Sequence, residues 1–387
     1  MPNTGADAQR KTDMEYIRRD DQLSALAERL EGVELLAIDT EAAGYHRYHD
    51  RICLLQLSTR TETWIVDTLA VDNVVVLQPV LAHPGSETVL HDADYDLRLL
   101  ARDYGIRITH LFDTKLAAQL LGEPQIGLAS LVAKHLGVAL DKKHQRADWA
   151  QRPLPADMIA YAAEDTRHLP ELRDHLRAQL EALGRLHWAA EEFALRTQVD
   201  AAAVAAADPD AYLRLKNIRD LKPRQLAALR ELHGWRDATA AERDVAPFRV
   251  VNNDVLVEVA RRLPQRPEQL QGIPGTGEAL IKRRGTALLD AVARALALSE
   301  DALPVRQRGP GRPPPDPVFD ALVDRLKSAR DAAAERLGLE RGFLMPRQQL
   351  EDIARARPTN ADGLRAVGDM RAWQVEAMGD DLLALLT

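Results

Sequence analysis

The chain has 387 residues, 46% hydrophobic and 28% charged, which excludes a disordered or fibrous protein and suggests two or three packed domains. Its formal net charge of −8 excludes a surface coated in basic residues, although a local basic patch still suffices for a polyanion. The one cysteine, Cys53, excludes an intrachain disulfide, and no window approaches the roughly 18 apolar residues of a membrane span, so a reducing cytoplasm is the expected setting.

Residues 1–13 are polar, carry no apolar signal core and are expected to fray. Asp20 or Asp21 is placed to cap a helix to about Leu30, with Leu23, Leu26, Ala27 and Leu30 on one face. Short apolar runs with turn-rich flanks at Glu34 to Ile38, Ile52 to Leu57, Thr63 to Val66 and Thr88 to Leu90 predict strands. Cys53 falls in the second run and reads as a small core residue. Helices are predicted from about Tyr95 to Tyr104, closed by Gly105, and from Phe112-Asp-Thr114 to near Gly122, with Asp113 as N-cap. A third covers Leu128 to Leu136, with Gly137 just beyond, and Pro155 to about Gln198 is strongly helical. Strands first and helices later give an α/β fold with a mixed sheet flanked by helices.

An alanine-rich run, Asp200 to Asp208, marks the end of a first domain, 1–205. Residues 210–298 form a helical block, 299–317 a Pro/Gly/Arg-rich extended linker, and 318–387 a second helical block. The two blocks read as a degenerate repeat. Trp235-Arg-Asp-Ala-Thr-Ala-Ala-Glu-Arg243 parallels Ala329-Arg-Asp-Ala-Ala-Ala-Glu-Arg336, and Leu256-Val-Glu-Val-Ala-Arg-Arg-Leu-Pro264 parallels Leu350-Glu-Asp-Ile-Ala-Arg-Ala-Arg-Pro358.

Acidic residues then gather in three places. In Leu36-Ala-Ile-Asp-Thr-Glu41, Asp39 and Glu41 share one face of a strand, and their repulsion is relieved either by a cation or by solvent at an acidic strand end. His91-Asp-Ala-Asp-Tyr-Asp96 opens a helix; Asp92 and Asp94 read as first-turn acids, while Asp96 lies deep enough to point back to the sheet. In Tyr161-Ala-Ala-Glu-Asp165 the spacing of four puts Tyr161 and Asp165 on one helix face, the geometry of a site or of a hydrogen-bonded core pair, with Glu164 rotated away.

These three segments, in this order, resemble the exonuclease motifs of the DEDD superfamily in its tyrosine-bearing branch. Leu136-Gly-Val-Ala-Leu-Asp-Lys-Lys143, Arg146-Ala-Asp-Trp149 and Arg152-Pro-Leu154 are similar to ribonuclease D, and the two helical blocks look like HRDC domains. The resemblance covers nearly the whole chain. It implies an RNase H-like exonuclease domain followed by two all-α HRDC-type domains, and two divalent cations held by Asp39, Glu41, Asp96 and Asp165. In that arrangement Asp39 bridges the ions, Glu41 and Asp165 complete the water-activating site, Asp96 supports the second ion through water, and Tyr161 holds the attacking water. An all-carboxylate set without a cysteine or histidine cluster suits Mg²⁺ or Mn²⁺ over Zn²⁺.

The implied activity is 3′→5′ trimming of tRNA precursors and other structured RNAs to nucleoside 5′-monophosphates, by a monomer with no membrane partner. Lys142, Lys143, His144, Arg146 and Arg152 form a basic cluster between the second and third motifs and are expected to contact phosphate. Trp149 reads as a base-stacking platform or a buried anchor, and Gln56 and His91 as structural. In the first helical block, Ile273-Pro-Gly-Thr-Gly277 precedes Lys282, Arg283 and Arg284, a phosphate site at a helix start or a plain turn. The second block has Val367-Gly-Asp-Met370 there, with an acid where a phosphate would sit. Arg306, Arg308 and Arg312 make the linker basic, though it reads mainly as a spacer. A DNA exonuclease of the same superfamily is one alternative, and the site motifs do not separate it. A non-catalytic RNA-binding protein is the other, and it has no need of the full carboxylate and tyrosine set.

Overall fold

Six strands pair into one mixed sheet: β1 (Met14–Ile17), β2 (Leu35–Ala42), β3 (Ile52–Ser58), β4 (Thr63–Asp67), β5 (Glu87–Leu90) and β6 (Leu111–Asp113), in the spatial order β1-β4-β3-β2-β5-β6. The computed structural model describes residues 14–141, 143–199, 208–305 and 316–386. β1 runs parallel to β4, β2 to β5 and β5 to β6, while β3 is antiparallel to β4. All seven residues of β3 are buried, which is why that strand reads as a continuous apolar run rather than an alternating one. β2 continues past Ile38, so Asp39 and Glu41 lie within the strand.

β1 and β6 are additions to the expected set. β1 is four residues long and exists through its register with β4. β6 takes Leu111, Phe112 and Asp113, and the helix after it starts only at Thr114. Asp113 is still the N-cap: its carboxylate accepts from the N–H groups of Lys115 (2.8 Å) and Leu116 (3.2 Å). The same carboxylate accepts from the N–H groups of Asp92 and Ala93 (3.1 and 2.9 Å), which pins the residues leading into the helix that opens at Asp94.

Helices flank the sheet. α1 (Asp20–Arg29) buries Leu23, Leu26 and Ala27. Neither aspartate caps it: Asp20 instead accepts from the N–H groups of Asp72 and Asn73 (3.0 and 3.1 Å). α2 (Asp94–Tyr104) ends at Gly105, whose φ of 66° only glycine adopts cheaply. α3 (Thr114–Leu120), α4 (Leu128–Leu136), α5 (Ala156–Arg167), α6 (Leu169–Ala182) and α7 (Leu186–Arg196) follow. α5 is fastened to β3 by a 2.8 Å hydrogen bond between the Ser58 and Thr166 hydroxyls.

The two helical blocks repeat in space as well as in text. α8 (Pro223–Arg243), α9 (Asn253–Arg262) and α10 (Glu278–Leu296) are matched by α11 (Pro317–Leu337), α12 (Arg347–Ala356) and α13 (Ala372–Leu386), each beginning 94 residues later. Buried Arg236 and Arg330 each pair with the aspartate that follows. Leu263 and Arg357 both end their helices with positive φ (48° and 44°). Gly275 (φ 84°) corresponds to Asp369 (φ 57°), so the acid stands in the second block's equivalent of the glycine turn.

The chain divides into two compact units, and the division differs from the expected domain boundaries. Residues 42–51, read with the first domain, group with 208–305: Tyr48 packs against that block's core, and the Ala246 N–H donates to the His46 carbonyl at 3.1 Å. The last helical block, read as separate, belongs to the same unit as the sheet. Its α13 docks on α7. Trp373 stacks on Trp188 with ring centroids 5.3 Å apart, and the Glu191 carboxylate accepts from the N–H groups of Ala372 (2.7 Å) and Trp373 (3.0 Å), the open start of α13. The Trp373 indole donates to Glu192 at 2.7 Å. Arg185 joins α3 to α11, donating to the Leu120 and Leu337 carbonyls at 2.7 Å each. At Gly122 a β-carbon would fall 1.9 Å from the Gly338 carbonyl oxygen, so this crossing accepts no side chain. Among the described residues no helix is long and apolar enough to cross a membrane. Lys142 and the linker arginines Arg306, Arg308 and Arg312 lie outside the described residues.

Candidate active site

β2, α2 and α5 bring the three acidic segments together. Asp39, Glu41, Tyr161 and Asp165 line one cavity of about 370 Å³, with His91, Ser130, Asp141 and Gln145 also on its walls. Asp96 is buried beside them, and Thr40, between the two strand acids, donates its hydroxyl to the Asp96 carboxylate. A larger cavity in the same unit, about 530 Å³, includes Glu87 on its wall, but that acid is already paired with Arg173 and Arg177. Chemistry, not size, selects the smaller one.

The acids strain against one another. Burial first, and then the charges of Asp96, Asp165 and Glu41, push Asp39 well above the usual carboxylate range. Glu41 is raised in the same way by burial and by Asp165 and Asp96. Burial carries Asp96 to about 7 although the Thr40 hydroxyl pulls it back, and burial with the neighbouring Glu164 carries Asp165 to about 7. Among the described residues no three of these side chains converge as a finished ion-binding shell. The donor set nevertheless fits hard divalent cations: it is all carboxylate oxygen, its members act on one another's charge, and its surplus negative charge is what such ions offset.

The shifts carry a sign that can be measured. Between an ordinary carboxylate pKa of about 4 and the value of about 7 for Asp96 and Asp165, the folded chain holds protons that the unfolded chain has released. Their contribution to stability therefore falls as pH rises through that window. In EDTA the protein is expected to melt higher at about pH 6 than at about pH 8, and Mn²⁺ added at the higher pH to restore the difference. Thermal melts that are flat, or that rise toward pH 8 without metal, would show that the acids do not repel as described.

Tyr161 is bracketed by the loop that precedes α5. His144 meets its ring edge-on at 5.6 Å, and Trp149 lies at 6.1 Å. Trp149 is only 2% exposed, so of its two readings the buried anchor is the one seen. Burial, then Asp165, Glu41 and Asp39, raise the Tyr161 phenol far above its usual range, so it is a protonated donor at neutral pH. Glu164 turns away to Arg167 (2.7 Å) and His168 (3.2 Å), and Asp94 pairs with Arg98 and Arg196, as surface acids do.

The basic cluster separates. Lys143 is exposed and pairs with Asp157 at 3.2 Å, as His144 does. Arg146 is exposed in the same loop. Arg152 departs from the expectation of a phosphate contact. It points into the protein, donating to both Asp67 oxygens (2.8 and 2.6 Å) and to the carbonyls of Trp149, Gln151 and Cys53. Tyr16 completes this network by donating to Asp67 at 2.7 Å. His91, Ser130, Asp141 and Gln145 were not singled out as site residues by the sequence reading; the one available signal was the adjacency of His91 to the second acidic segment.

Comparison with known proteins bears directly on this arrangement. A family profile described as 3′-5′ exonuclease matches residues 14–181, and one described as HRDC domain matches residues 225–292 and 319–386. The chain is 32% identical to ribonuclease D of Gluconacetobacter diazotrophicus over 368 residues, covering 94% of this chain and 91% of that protein. It is also 32% identical to ribonuclease D of Cronobacter turicensis, over 96% of this chain and 99% of that one. The chain belongs to the ribonuclease D family. The crystal structure of Escherichia coli RNase D superposes with a TM-score of 0.73 at 28% identity, covering 97% of this chain and 99% of that one. As a ribonuclease D homologue the chain is a 3′-5′ exoribonuclease, and the mixed sheet followed by helical HRDC blocks is the architecture expected from the sequence.

Proposed function

We propose that the chain is a metal-dependent enzyme that trims the 3′ ends of tRNA precursors and other structured RNAs, releasing nucleoside 5′-monophosphates. The observation that carries this reading is the cavity itself, where Asp39, Glu41 and Asp165, with Asp96 buried beside them, crowd together next to a protonated tyrosine. The Escherichia coli relative is described as an exoribonuclease involved in structured RNA processing, which favours RNA over DNA. Asp39, Glu41, Asp96 and Asp165 would hold two divalent cations, Mg²⁺ or Mn²⁺, with the Thr40 hydroxyl orienting Asp96. When bound, such ions supply the Lewis acidity that makes water nucleophilic at neutral pH and that stabilises the leaving 3′ oxygen. Tyr161 donates its hydrogen bond to orient the attacking water and is too weak an acid to remove a proton. Lys142, Lys143 and Arg146 would receive the backbone phosphates. The exposed Lys143–Asp157 pair is weak enough for a phosphate to displace its acid. A monomer in the cytoplasm, where buried Cys53 stays reduced, is the setting we assign.

Tyr161→Phe is expected to lose most turnover, roughly 10²-fold or more, while RNA affinity and Mn²⁺-induced stabilisation stay unchanged. Equal turnover in the variant would remove the hydroxyl from the mechanism. The reading as a whole is tested by incubating a 3′-extended tRNA precursor and a matched single-stranded DNA with Mg²⁺, Mn²⁺ or EDTA. Metal-dependent release of mononucleotides from RNA alone is the expected result. Equal cutting of DNA would establish a general exonuclease, and firm binding without cleavage an RNA-binding protein.

A further inference from the structure

The carboxylate chemistry leaves His91, on the cavity wall, without a part. Its Nδ1 lies 2.9 Å from the Thr114 hydroxyl oxygen. That hydroxyl donates its own hydrogen to the Leu90 carbonyl at 3.1 Å. A hydroxyl has one hydrogen to give, so Thr114 must accept from His91, and the imidazole proton resides on Nδ1. In the neutral ring Nε2 is then a bare acceptor. Burial, the largest influence on the ring, holds its pKa below the ordinary value and so favours that neutral form.

The anchor also sets the direction. Thr114 is fully buried at the junction of β6 and α3, so the ring edge opposite Nδ1 is the one presented to the cavity. No described residue donates to Nε2. With cations bound, the neighbouring acids Asp39, Glu41 and Asp165 would be ionised and offer acceptors only. A bare Nε2 accepts from an N–H or O–H group, and a hydroxyl is such a group. The RNA end brings two, the 2′-OH and 3′-OH of its terminal ribose.

We propose that His91 Nε2 accepts a hydrogen bond from a hydroxyl of the 3′-terminal ribose, so that this residue reads the sugar at the end being removed. The inference rests on the exoribonuclease reading of the same site and adds a specificity residue to it. It assigns His91 a ligand where the sequence suggested only a structural part.

The test uses three RNA oligonucleotides that differ only at the last sugar: ribose, 2′-deoxyribose or 3′-deoxyribose. kcat/KM for release of the first nucleotide is measured with Mn²⁺ for the full chain and for two variants. His91→Asn places an N–H where Nδ1 stood and keeps the Thr114 bond, but has no atom at the Nε2 position. His91→Gln loses that bond but carries an acceptor to the Nε2 position. Wild type is expected to act about tenfold more slowly on whichever deoxy end lacks the hydroxyl read, the deoxy arms telling 2′ from 3′. His91→Asn is expected to slow on the ribose end to that same level and to treat the two ends alike, whereas His91→Gln keeps a preference. Wild type acting equally on all three ends overturns the proposal whether or not either variant folds. So does His91→Asn with wild-type discrimination, or with the same slowing on every end. Wild type that releases nothing from the ribose end overturns the exoribonuclease reading instead.

Discussion

Replacing Asp39 with asparagine is expected to lower exonuclease turnover by at least about 10³-fold while the melting temperature in EDTA stays the same or rises. The two halves of this result have one cause. Asp39 sits on β2 with Glu41, facing Asp96 and Asp165, and its charge is opposed by burial and by all three. The amide is nearly the same size, removes one negative charge from the group, and gives up an oxygen that the proposed cations would need. Turnover on a radiolabelled RNA and thermal melts with and without Mn²⁺ read the two effects separately. The variant should also show a smaller Mn²⁺-induced rise in melting temperature than the wild type. A sharp loss of stability without metal would mean that Asp39 supports the fold, and would sink the account of a site built at the expense of stability.

Arg152→Ala is expected to cost about 3–5 kcal/mol of folding stability, because it leaves the Asp67 carboxylate buried without its partner. Asp67 has no exposed side-chain surface. Burial alone would raise its pKa, yet the Arg152 and Tyr16 hydrogen bonds hold the carboxyl below its usual range. Tyr16 responds in the opposite sense, pushed up to about 12 by burial and by the Asp67 charge. The network ties β1, β3 and β4 to the segment that enters α5, so its loss should also loosen the position of Tyr161. Urea denaturation of Arg152→Ala and of a double variant, Arg152→Met with Asp67→Leu, measures the effect. The double change should be the milder of the two, since it leaves no orphaned charge. If Arg152→Ala instead kept full stability and lost only RNA affinity, Arg152 would be returned to the phosphate contacts.

These two arginine and aspartate positions show where sequence was informative and where it was not. The shared faces of Asp39 with Glu41 and of Tyr161 with Asp165, and the inward turn of Asp96, were legible from local geometry: alternation in a strand, a spacing of four, a first helical turn; that they act as one site came from the family resemblance. Arg152 was not, because its partner Asp67 lies 85 residues away and a charge run contains nothing that points to it. β1 escaped for the same reason, since Met14–Ile17 owes its strand to pairing with β4 rather than to its own pattern. β6 was hidden by Asp113, which ends a strand and caps a helix at once; the cap is a local signal and the strand is not. Likewise the 94-residue repeat was readable in the text, but the way its second copy docks on α7 was not, because Trp188 and Trp373 meet across two sequence-distant helices.

That last contact has a consequence for synthesis. Glu191 meets the amides of α13 across 181 residues of chain, so a nascent polypeptide displays α7 uncovered until the last helical block emerges. At ribosomal rates of about 5–20 residues per second the wait is on the order of ten to forty seconds. Through that interval the four carboxylates already exist, while the Trp188 face stands open to chaperones and proteases. A polypeptide released before α13 is made would keep that face open, without the Trp373 stack and the Glu191 contacts.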